Sequence, residues 1–92
     1  MASANIVFGK VGGGLPVFDY NFASQTVASG AESTATISGQ THIRVTPLTA
    51  AQYFAFGTAP DATNAATRVF VPLGASFEVN APVGTKVEVL DA

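Results

Sequence analysis

Apolar residues recur along the chain at every second position in several short runs. Phe18, Tyr20 and Phe22 alternate with Val17, Asp19 and Asn21, which is the period of a half-buried strand. Residues 42–46 repeat the pattern, with Ile43 and Val45 predicted to point inward and His42 and Arg44 outward. Residues 68–73, 76–80 and 85–89 read the same way, placing Phe70, Phe77, Val79, Val87 and Val89 in a core. Residues 52–57 depart from it. Tyr53, Phe54, Ala55 and Phe56 make both faces apolar, with Phe54 and Phe56 on one side and Tyr53 on the other. Such a strand is central, or its outer face meets another surface.

Weaker β signals come from Ile6-Val7-Phe8, from residues 25–28 and from residues 33–37. Gly30, Gly39, Gly74 and the Pro82–Gly84 stretch mark turns, and residues 58–67 read as a loop. Three consecutive glycines, Gly12, Gly13 and Gly14, pack no core and are costly to order. Residues 1–14 therefore read as a short strand followed by a flexible or bent loop, with a projecting arm as the alternative. Helix is confined to single turns, and no internal repeat is present. These elements predict one all-β domain over residues 1–92, an antiparallel β-sandwich of jelly-roll or Ig-like type with seven to eight short strands.

Composition changes this picture in one respect. Of the 92 residues 11% are charged, well under the roughly 25% of ordinary domains, while 48% are hydrophobic. A small, weakly charged domain suggests a surface partly covered by another chain, and favours a homo-oligomer. The net charge is −2, and the cations Lys10, Arg44, Arg68 and Lys86 are scattered, which does not make a nucleic-acid footprint. The absence of cysteine excludes disulfides. No apolar run is long enough for a membrane helix, and the first residues lack a signal-peptide pattern. The expectation is a chain made in the cytoplasm and not secreted by a signal peptide.

Candidate chemistry is thin. His42 is the single histidine and lies on a polar strand face, where a solvated or interface role is expected. Glu78 and Glu88 point outward, with Lys86 balancing Glu88. Asp61 opens a turn by local hydrogen bonding and lacks the ligand series of a calcium loop. Phosphate-loop and nucleophile-elbow motifs are absent, so no catalytic residue, cofactor or metal is assigned.

The pieces His42-Ile-Arg-Val-Thr, Tyr53-Phe-Ala-Phe-Gly-Thr-Ala-Pro-Asp-Ala-Thr, Val69-Phe-Val-Pro-Leu-Gly and Phe77-Glu-Val-Asn-Ala-Pro-Val-Gly-Thr-Lys-Val-Glu-Val-Leu resemble small structural proteins of tailed bacteriophages. The resemblance covers residues 42–90. It implies a non-enzymatic virion part, foremost a capsid decoration (cement) protein bound to the major capsid protein on the outer head shell. A neck or tail knob is the alternative within the virion. A carbohydrate-binding β-sandwich with Tyr53 as a platform is the alternative outside it. The residues expected to meet a partner are Ile6, Val7 and Phe8, the glycines Gly12, Gly13 and Gly14, and Gln52, Tyr53, Phe54 and Phe56. Neither nucleic acid nor membrane is expected as a partner.

Overall fold

The computed structural model describes residues 2–10, 23–36 and 42–92. Seven strands occur among them: β1 (Ser3–Gly9), β2 (Ala23–Ala28), β3 (His42–Pro47), β4 (Gln52–Gly57), β5 (Val69–Val71), β6 (Phe77–Asn80) and β7 (Lys86–Asp91). They form two antiparallel sheets, one ordered β2-β1-β3-β6 and the other β5-β4-β7. The fold is an all-β sandwich, as the alternation predicts.

The pleat sorts the side chains. Ala4, Ile6 and Phe8 of β1, Val27 of β2, and Ile43 and Val45 of β3 line the inner face of the larger sheet. Phe54 of β4, Val71 of β5, and Val87 and Val89 of β7 line the smaller one, and together they make a single core. The registers Ala4↔Val27, Ile6↔Val45 and Phe54↔Val89 put apolar partners opposite one another. Gln52 is the exception, a fully buried amide whose Nε2 donates to Asp91 Oδ1 at 3.2 Å. Its Oε1 has no partner among the described residues.

The short strand expected at Ile6-Val7-Phe8 is present within β1, while several other expectations change. Residues 3–9 are not an arm: β1 lies between β2 and β3, with both edges paired. Ile6 and Phe8 are sunk in the core, so neither can meet a partner while the fold is intact. Phe70 is not a core residue but 53% exposed, because Val69 and Val71 take the inner side of β5. Phe77 does face inward, yet it lies on edge strand β6 and remains 37% exposed, its ring tilted against Phe56 at 6.1 Å. The strand read at residues 17–22, the Gly12–Gly14 loop and the turn at residues 38–40 lie outside the described residues.

Residues 33–36 form no strand, and their polar side chains explain why. The segment 29–36 runs antiparallel along the outer edge of β7. Gly30, Ser33 and Thr36 donate their N–H groups to the carbonyls of Val89, Val87 and Thr85 at 2.7–2.9 Å. In return, Ser29 Oγ accepts from Asp91 N (2.9 Å), Ser33 Oγ from Val87 N (2.9 Å) and Thr36 Oγ1 from Thr85 N (3.1 Å). Main-chain carbonyls of the segment accept at two places, Ala31 O from Val89 N at 3.2 Å and Thr36 O from Gly84 N at 3.1 Å. Hydroxyls thus stand in for a strand's carbonyls. Thr36 Oγ1 also accepts from Gly84 N (2.9 Å) and donates to Pro82 O (3.1 Å), clamping the turn into β7. Gly84 is the third residue of that turn, with φ at 96°, where a side chain would be strained.

Two substitutions separate these effects. Thr36→Val keeps the shape but strands buried donors, and should lower stability by about 1–3 kcal/mol. Gln52→Met removes an amide with an unpaired oxygen, and should leave stability unchanged or raise it by up to about 1 kcal/mol. Urea denaturation followed by fluorescence reads both; equal midpoint losses would contradict this account.

Candidate functional site

The outer face of the smaller sheet carries an ordered apolar row with one exposed aromatic, Phe70, at its end. Cross-strand pairing sets Phe70, Tyr53 and Leu90 in one row, from β5 through β4 to β7. The aromatic β-formers of 52–57 hold β4 central, so Tyr53 is fixed by strands on both sides. Phe70 meets the Tyr53 ring edge to face, with centroids 5.8 Å apart. The Arg68 guanidinium carbon lies 3.7 Å above the centre of the same ring. Arg68 Nη1 reaches the Ala62 carbonyl at 3.5 Å.

One strand row away, the sheet is covered. Residues 58–67 arch back so that Ala62 is fully buried and its N–H donates to Glu88 Oε1 at 2.6 Å. Glu88 is the cross-strand partner of Ala55, which is 1% exposed although it sits on the outer side of β4. The expected Lys86–Glu88 balance is therefore replaced. Glu88 anchors the loop, and Lys86 Nζ lies 3.9 Å from Glu32. Asp61 opens this loop as expected, accepting from the Thr63 N–H at 3.0 Å and from the Thr63 hydroxyl. Those bonds hold its carboxyl below the usual range.

The outer face of the larger sheet is polar. His42 Nε2 lies 2.6 Å from Glu78 Oε1, and His42 Nδ1 2.7 Å from Asn80 Oδ1. Arg44 Nε donates to Glu78 Oε2 at 3.3 Å, and the Thr46 and Ser76 hydroxyls meet at 2.8 Å. These contacts follow the β3–β6 register pair by pair and clasp edge strand β6 to the sheet. The His42 bond, with help from Arg44 and against slight burial, holds the Glu78 carboxyl below its ordinary value. Both imidazole nitrogens are engaged by β6, and the hydroxyls nearby are paired with each other, so the cluster is built as a clasp.

Of the residues expected to meet a partner, Ile6, Phe8, Gln52 and Phe54 are buried in the core. Phe56 is half-buried against Phe77. Val7 is half-buried on the polar face, between Ser24 and Arg44. Gly12, Gly13 and Gly14 lie outside the described residues. Tyr53 alone lies on the organised apolar face, and one side of its ring is taken by Arg68. Reading the core from single aromatics missed Phe70 and Arg68. The signal was the flanking pair Val69 and Val71, two β-branched residues that together claim the inner face of β5 and send both neighbours out.

No family model, curated protein or solved structure matches this chain.

The division between core and face is measurable. Phe70→Ser should cost at most about 1 kcal/mol, the scale of one aromatic edge contact. Phe54→Ala should cost about 3–5 kcal/mol. Comparable losses in thermal or urea unfolding would refute the assignment. The clasp has a pH signature. Because folding lowers the Glu78 pKa, its contribution is present above the ordinary carboxylate value and is lost as pH falls through the lowered one. Glu78 is 39% exposed, so solvent screening limits the effect to under about 1 kcal/mol. Glu78→Gln should flatten the acid limb of stability against pH by that amount. An unchanged limb would show that the bonds contribute nothing.

Proposed function

We propose that this domain is a non-enzymatic binding part of a virion, a capsid decoration protein that docks on the outer head shell through the β5-β4-β7 face. The observation that carries the reading is that face. Phe70, more than half exposed, stands beside Tyr53 and Arg68 on a rigid sheet, and Tyr and Arg are among the residues that dominate protein interfaces. The resemblance of residues 42–90 to tailed-phage structural proteins supplies the virion context. The pieces that carry it fall on β3 to β7, which include every strand of the docking face. A shell offers many equivalent sites, so a face of this modest size suffices when copies bind side by side.

Antibody labelling of phage particles released by cells carrying the gene, viewed by electron microscopy, tests this reading. Label spread over the heads is the expected result. Label at one vertex would move the protein to the neck or tail, and unlabelled particles would sink the virion reading.

A further inference from the structure

The docking face carries a charge, that of Arg68, with no ion-pair partner among the described residues. Among the described residues, Arg44 and Lys86 each have a carboxylate within 4.0 Å, whereas Arg68 has none. Arg68 has the Tyr53 ring beneath it and one long bond to the Ala62 carbonyl. A guanidinium offers five donors in a planar fork, so most of its hydrogen-bonding capacity is left for something else. It is also pre-positioned. Stacking on an aromatic ring removes much of the freedom that a lysine or an unsupported arginine would lose on binding. The carboxylates of β7 and of the 58–67 loop have partners elsewhere: Glu88 accepts from the Ala62 N–H, Asp91 from Gln52 Nε2 and Asp61 from Thr63. Lys10, the remaining cation, is exposed just past the end of β1 in the other sheet and has no such aromatic contact among the described residues.

Beside the unneutralised cation stands Phe70, with half its surface open. From this pairing we infer that the face recognises a protein segment presenting a carboxylate next to an apolar side chain. The carboxylate takes the Arg68 fork, and the apolar group packs on Phe70. Charge complementarity selects this occupant. A basic partner would leave Arg68 facing a like charge, and a purely apolar one would desolvate it without compensation. The inference rests on the reading of this face as the docking surface, and names the chemistry it docks.

Panning a randomised linear-peptide display library on the purified chain tests it. The expected result is enrichment of Asp or Glu within a residue or two of an aromatic or branched aliphatic residue. A synthetic peptide of that consensus should bind Phe70→Ala about tenfold more weakly. Arg68→Glu should lose the acidic peptides and, panned itself, select Lys or Arg instead. Lys10→Ala should bind as the wild type does. Phe70 is exposed and Arg68 stacks from outside, so both variants should keep the wild-type circular dichroism spectrum. Failure to select any sequence, selection without acidic bias, or acidic binding that survives Arg68→Glu would each overturn the inference. So would sedimentation showing that the chain self-associates through this face, with Phe70→Ala restoring the monomer. The outcomes separate from those of the virion reading. Unlabelled particles with acidic selection intact remove only the virion, and labelled heads without acidic selection remove only the carboxylate.

Discussion

The rest of the sandwich depends on how the outer edge of β7 is satisfied. A three-stranded sheet with an open edge beside the core would leave buried N–H groups of Val87 and Thr85 unpaired, each a cost of order 1–3 kcal/mol. No strand among the described residues covers them. The chain leaves β2 in the larger sheet, turns at Gly30, and lays Ser29, Ser33 and Thr36 along β7, so that side-chain hydroxyls take the bonds. The same crossing ties the two sheets together covalently and by hydrogen bonds. It is why Ser29, Ser33 and Thr36 are buried although the residues between them are largely exposed.

The two outer faces then divide. On the larger sheet, His42 and Arg44 of β3 find partners on β6 and Thr46 finds one in Ser76 just before it, so these outward residues are internally satisfied. On the smaller sheet, the loop anchored through Glu88 covers one row and stops, leaving the row of Phe70, Tyr53 and Leu90 with Arg68 at its margin. Among the described residues, most charges sit in contacts that hold the domain's own structure, and Arg68 stands on its apolar face.

What the sequence made legible follows from periodicity. Alternation at residues 42–46 and 85–89 located β3 and β7 and their inward residues, because a half-buried strand must show period two. The doubly apolar run of β4 was readable as a central strand. Two things were not readable. Period two cannot say which strands pair, so β1, weak in isolation, did not announce itself as an internal strand carrying Ile6 and Phe8 into the core. Nor can it rank faces when both are apolar: Phe70 against Val69 and Val71 is decided by packing with the opposite sheet. The hydroxyl-sealed edge was hidden for a related reason, since its hydrogen bonds join residues 46 to 62 positions apart that show no pattern in common.

That separation has a kinetic side. β4 and the 29–36 segment both wait for β7, which lies between them, so neither edge of β7 can be closed by local contacts. Loop closure over such distances is paid before the bonds that reward it, which places this sandwich among the slow-folding, high-contact-order topologies. On the ribosome, a chain synthesised as far as residue 84 would hold most of the core with its central partner missing. Folding of this domain is therefore gated by its last strand, and is completed only when β7 becomes free to enter the smaller sheet.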